Sequence, residues 1–183
     1  MTRPIRYNVV WMRQMPSFGY IAGLFDGEGT ITIAALRKPK ATRYHGFTVY
    51  VNISNTHLGV LQKIRERLGV GRIRVRARPH HNRWKPCFEL WFTNRMAERF
   101  LRRIRRHLVI KKPQTRIALK LTRDIARGYP GRKMPLRVLR RRLAWKIELM
   151  RLNGNRRYAK QWELSSFLSP PGRAVLRQDQ APV

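Results

Sequence analysis

Apolar side chains recur along this chain in two rhythms, one of three to four residues and one of two, and the rhythm changes at glycines, prolines and short polar residues. SFGYIAGLFDG, from Ser17, predicts a short helix capped by Ser17 after Pro16, with Ala22, Gly23, Asp26 and Gly27 on neighbouring helical positions. Each glycine costs a helix roughly 1 kcal/mol relative to alanine, so a bare face of this kind implies another backbone coming close. Glu28 stands where the helix ends. Two strand-like runs follow, Gly29 to Lys38 and Tyr44 to Ser54, either side of a turn containing Pro39, and suit a hairpin. In the second, Phe47, Val49, Val51 and Ile53 alternate with Thr48, Tyr50, Asn52 and Ser54, the period of a sheet with one buried face and the polar set outward.

Thr56 is placed to cap the next helix, in which Leu58, Leu61, Ile64 and Leu68 recur at helical spacing before Gly69 stops it. From Gly71 to Arg78, Ile73, Val75 and Ala77 alternate with Arg72, Arg74, Arg76 and Arg78, which aligns four guanidinium groups on one sheet face. Trp84 to Thr93 returns as the partner strand, with Phe88, Leu90 and Phe92 inward and Lys85, Glu89 and Trp91 beside the arginines. Asn94 is placed to cap a helix whose Phe100, Leu101, Ile104 and Leu108 form an apolar stripe, and Pro113 opens another running to Gly128. After the loop GYPGRKMP comes a basic helix over Leu136 to Leu152. The expected organisation is an extension (1–16), a core (17–128), a basic helical region (129–152) and a loose tail (153–183).

Composition changes the picture in one respect. With 43% apolar residues there is enough side-chain volume for a core, yet 41 lysines and arginines stand against nine acids, a formal charge of +32. Self-repulsion on that scale is tolerable chiefly when a polyanion neutralises it, so nucleic acid is the expected partner. No run of about 18 uncharged apolar residues is present, which argues against a membrane. The single cysteine, Cys87, permits neither an intrachain disulfide nor a cysteine zinc site. A reducing, intracellular setting is expected, whether a bacterial or phage-infected cytoplasm or an organelle.

Ile21 to Gly29, IAGLFDGEG, resembles the nine-residue motif that names the LAGLIDADG homing endonucleases, and the order of elements after it is similar to that family's αββαββα half-fold. LGVG at Leu68 to Gly71 and LVIKKPQ at Leu108 to Gln114 extend the resemblance to single-motif members, over about Phe18 to Asp124. It implies an α+β fold with a curved antiparallel four-stranded sheet, to which this chain adds C-terminal helices. It also implies a homodimer whose motif helices meet at a twofold axis through Ala22, Gly23, Asp26 and Gly27, since one motif supplies only one of two acids flanking the cleavage centre.

By motif position Glu28 matches the metal-binding acid and Asp26 the acid that holds the helix ends together. Many members carry aspartate where Glu28 stands. Two such carboxylates near one axis repel, and Mg²⁺ would relieve the repulsion while polarising phosphate and activating water. Lys111 matches a basic residue near the attacking water, and Asn55 a polar residue that positions it. The outward sheet face would lie in the major groove of double-stranded DNA, which makes Thr30, Thr32, Thr48, Tyr50, Asn52, Arg72, Arg74, Arg76 and Trp91 the candidates for contact. Arginine can bridge guanine O6 and N7, and asparagine adenine N6 and N7.

The resemblance therefore implies a Mg²⁺-dependent homing endonuclease that makes a staggered double-strand break in a long, nearly palindromic site. The rival readings are an RNA-splicing maturase, or a LAGLIDADG-derived DNA binder that has lost cleavage. A ribosomal-type RNA-binding protein would explain the charge but not the glycine-bearing helix and its terminal acid. His80, His81 and Asn82 superficially resemble an HNH nuclease but lack the further metal-binding histidine in its helical context.

Overall fold

The computed structural model describes residues 15–36, 46–76, 85–128, 134–155 and 157–159. The expectations for Pro39, Ala77, Arg78, His80, His81, Asn82, Trp84, the 129–133 loop and the tail from 160 lie outside these residues. The elements run α1 (Phe18–Glu28), β1 (Gly29–Leu36), β2 (Gly46–Asn55), α2 (Leu58–Leu68), β3 (Arg72–Arg76), β4 (Cys87–Thr93), α3 (Arg95–Ile104), α4 (Lys112–Ala126) and α5 (Leu136–Leu152). The four strands form one antiparallel sheet in the order β1-β2-β4-β3. This is the α+β arrangement expected from the sequence.

The period of two sorts the strands as anticipated. Ile31, Ile33, Val49, Val51, Ile53, Leu90 and Phe92 are buried and share one core with Ile21 and Phe25 of α1, Leu61, Ile64 and Leu68 of α2, and Phe100, Leu101 and Ile104 of α3. At its centre Phe100 stacks on Phe92 (ring centroids 4.5 Å apart) and meets Phe25 edge-on at 5.1 Å. Truncating such an aromatic to alanine costs about 3 to 5 kcal/mol.

Local caps decide how the helices enter and leave. Ser17 Oγ accepts from the N–H of Tyr20 (3.1 Å), as expected of an N-cap. At the other end the chain turns straight into β1 at Gly29, where a Cβ would lie 2.1 Å from the Phe25 ring, so only glycine permits the helix-to-strand switch over that aromatic. Gly69 ends α2 in the left-handed region (φ 65°) and donates to Arg65 and Glu66.

Two caps differ from expectation. His57, not Thr56, caps α2: its Nδ1 accepts from Val60 N–H, and Asn55 Oδ1 takes the His57 N–H, which delays the helix by one residue. Asn94 precedes α3 without capping it. Its carboxamide oxygen accepts from Val49 N–H (3.1 Å) and its own N–H donates to Val49 O (3.0 Å), so it extends the β2–β4 ladder past Tyr50↔Thr93. That ladder position and its φ of 43° leave the side chain no approach to the helix.

The basic helix α5 lies along the free edge of β1. Lys146 Nζ donates to Ile33 O (3.0 Å) and Asn153 Nδ2 to Ile31 O (2.9 Å), covering edge carbonyls that would otherwise pair with another chain. Leu143 and Leu149 enter the core, and buried Arg142 holds Asp124 of α4 through its Nε (2.7 Å), with Arg141 on the other carboxylate oxygen. At the opposite edge, β3, Val75 is 65% exposed.

Candidate nucleic-acid interface and acidic centre

Helix α1 presents two faces. Ile21, Ala22, Phe25 and Asp26 point into the chain, while Tyr20, Gly23 and Gly27, with Leu24 half-buried, form the outer one. Ala22, expected on the interface face, is fully buried in the chain's own core, because it lies one turn before Phe25 and Asp26 on the inner stripe. A Cβ placed on Gly23 or Gly27 would meet nothing within 4 Å. Among the described residues nothing requires glycine at either position.

Asp26, expected to bridge two chains, is committed inside one. One carboxylate oxygen accepts from Val109 N–H (2.7 Å) and Ile110 N–H (3.2 Å), the other from Lys111 N–H (2.9 Å). Burial alone would raise the pKa of this carboxyl. The three N–H donors and the Lys111 charge outweigh it, so the group is held below its ordinary value and stays ionised. Lys111 Nζ returns a hydrogen bond to Asp26 O. The loop before α4 is thus locked to the last turn of α1, and Val109 (77% exposed) and Ile110 (66%) are held out beside it.

Glu28 is exposed at the C-terminal end of α1, where the helix dipole disfavours a negative charge and no basic residue occupies the last turn. Helix stability does not explain an acid there. Lys111 reaches the same end of α1 through its bond to Asp26 O. Asn55 lies two residues past the Gly29↔Ile53 pair, at the same end of the sheet, with its oxygen spent on the turn before α2. Lys111 also lines a cleft of ≈ 400 Å³ with Thr30, Thr32, Gln114 and the end of α5.

The outward sheet face starts one residue beyond Gly29. Register places Thr30, Asn52, Trp91 and Arg72 in one row across all four strands, flanked by Thr32, Tyr50 and Thr93 on one side and Ser54, Glu89 and Arg74 on the other. Thr30, Thr32, Tyr50, Arg72, Arg74 and Arg76 are exposed, and Asn52 and Trp91 half-buried. Arg72 and Arg74 lie over the Trp91 ring at 5.9 and 5.3 Å. Thr48, a candidate by alternation, is 8% exposed: a short side chain two residues from Tyr50 on the same face, it does not stand clear of its neighbours. Thr93, with Ser54 and Glu89, which alternation had already turned outward, completes the rows; none was among the contact candidates, and strand register decides which residues share a row.

Among the described residues no three His, Cys, Asp or Glu side chains cluster as a metal site, and no helix is long and apolar enough to cross a membrane. Residues 15–105 match the LAGLIDADG-like domain family. No curated protein matches the chain. Among solved structures, the homing endonuclease I-CvuI in complex with the I-CreI target is 21% identical, with 80% of this chain and 94% of that one covered and a TM-score of 0.59. An archaeal intron-encoded homing endonuclease complexed with DNA is similar at 20% identity, 80% and 96% coverage and a TM-score of 0.60. The homing endonuclease I-LtrWI bound to target DNA is 18% identical with a TM-score of 0.59; there 85% of this chain covers 49% of a longer one. The matched domain and the shared fold place this chain in the LAGLIDADG family.

Proposed function

We propose that the protein is a site-specific DNA endonuclease of the homing type that acts as a symmetric pair. The observation that carries this reading is positional: an exposed acid, Glu28, ends a helix whose outer face is bare glycine and begins the strand that carries the outward row from Thr30. Close packing of two copies through Gly23 and Gly27 would bring two Glu28 carboxylates to one axis, with an outward sheet on either side. Exposed Tyr20, Val109 and Ile110 border that face and would be covered by the second copy. The chain's coverage of about half of I-LtrWI supports the pairing, since two copies would make up the longer chain's length.

One carboxylate per chain is too few to hold a metal alone, but it suits Mg²⁺, which prefers oxygen donors, keeps several waters and takes few protein ligands beside phosphate. Glu28 of each copy would hold the ion, which when bound supplies charge on the scissile phosphate and an acidified water. Lys111, fixed by Asp26, places an ammonium where charge develops on the phosphate oxygens. Asn55 keeps its carboxamide NH2 for a water at the same end. Thr30, Thr32, Tyr50, Asn52, Arg72, Arg74, Arg76 and Trp91 read the major groove and neighbouring phosphates of a long, nearly palindromic duplex.

The test is selection of a bound duplex from a randomised library, followed by incubation with the protein. Binding without cutting in EDTA and a staggered break in both strands on adding Mg²⁺ is the expected result. Tight specific binding with no cutting under any divalent cation would replace the enzyme by a DNA-binding protein, and preference for structured RNA over every duplex would favour a maturase.

A further inference from the structure

An acid on a face built to meet phosphates needs a reason, and Glu89 is such an acid. It lies on the outward side of β4, yet is only 5% exposed, sunk beneath the longer side chains around it. Its Oε2 accepts from Arg74 Nε at 2.8 Å, its Oε1 lies 3.8 Å from Arg76 Nε, and the same Oε1 accepts from Asn52 Nδ2 at 3.4 Å. Both arginines remain more than half exposed (60% and 57%). The carboxylate therefore holds Arg74 by a hydrogen bond to its Nε and Arg76 by a looser ion pair at its Nε. Trp91 braces the cluster from the neighbouring row, with Arg72 and Arg74 over its ring.

A free arginine loses rotamer freedom when it binds, and a fork that must match guanine O6 and N7 gains most when its direction is set beforehand. From β4, Glu89 sets it for two arginines on β3 and one asparagine on β2. We infer that Glu89 is a specificity-determining positioning residue: it touches no base, but orients Arg74, Arg76 and Asn52 for base-edge recognition, at the expense of a negative charge near DNA. This rests on the proposed reading of duplex DNA by the outward face. A residue acting only by neutralising surplus cations would aid folding and leave base preference untouched.

The experiment compares wild type with Glu89→Gln in the full chain, on the duplex selected by wild type, on its single-base variants and on unrelated duplex. Glu89→Gln should lower discrimination about tenfold or more at the base pairs facing Arg74 and Asn52, the range of one bidentate contact. Affinity for unrelated duplex should hold or rise, because one negative charge per chain is lost from the face. Glu89→Asp should restore part of the discrimination. An unchanged base profile in a folded Glu89→Gln protein overturns the inference while the endonuclease reading stands; absence of any duplex preference in wild type overturns both. Should Glu89→Gln fail to fold, exposed Arg74→Lys keeps the charge but loses the planar fork held by Glu89, and an unchanged profile in that variant likewise overturns the inference.

Discussion

Asp26 and Lys111, 85 residues apart, hold each other twice: the aspartate carboxylate accepts the lysine's backbone N–H, and the lysine ammonium donates to the aspartate's backbone carbonyl. The last turn of the motif helix and the start of α4 are thereby one rigid piece, and the direction of the Lys111 side chain is fixed at the end where Glu28 emerges.

Asp26→Asn should destabilise the chain by about 2 kcal/mol or more, since three backbone donors lose an ionised acceptor and the amide's NH2 cannot accept from any of them. Chemical denaturation at neutral pH measures the loss. Because Lys111 is positioned through the same contact, cutting should fall further than the loss of folded protein explains. A change of a few tenths of a kcal/mol would mean that the loop is held by other contacts.

Gly23→Leu should abolish self-association while leaving the single chain folded. Its Cβ would meet nothing within 4 Å among the described residues, and leaving glycine raises helix propensity, so those residues supply no source of a folding penalty. Sedimentation at micromolar concentration reads the outcome. A wild type that stays monomeric with and without DNA would end the shared-centre reading.

Glu28→Gln should stop cutting and keep specific binding, because the change preserves size and removes the charge that holds Mg²⁺. Binding in EDTA should hold or tighten slightly, with fewer negative charges facing phosphate. Lys111→Met should slow single-turnover cutting more than it weakens binding. Metal-dependent cutting by purified Glu28→Gln protein would remove this residue from the centre.

Asp124→Asn should cost about 3 kcal/mol, the range for removing one partner of a buried ion pair, since Arg142 is 4% exposed and binds that carboxylate at 2.7 Å. The loss would loosen α5 from α4 and with it the cover on the β1 edge. A melting temperature within a degree of wild type would show that α5 is held by its apolar side alone.

The sequence by itself determined the elements and the chemistry of each residue. The period of two in Phe47 to Ser54 and the stripe from Leu58 to Leu68 each carry their own burial instruction, because backbone geometry converts spacing directly into faces, whereas the arginine alternation from Arg72 fixed the faces of an edge strand on which Val75 stays 65% exposed. Glu28 at a helix end and glycines on a helix face were legible for the same reason. What only the tertiary structure decided depends on contacts between distant segments. Ala22 and Gly23 are neighbours in the motif, but the Phe25–Phe100 contact sets the rotation of α1 that buries one and exposes the other. Asp26 turned inward because the N–H groups of a loop more than eighty residues away met it there. Asn94 looked like a cap, yet Val49 claimed its oxygen. Alternation set Glu89 beside the arginines, but register decided that Arg74 stands opposite it and that Asn52 reaches it from the adjoining strand. Local spacing tells which way a side chain points, whereas which partner it finds is settled by packing among elements that the chain brings together from far apart.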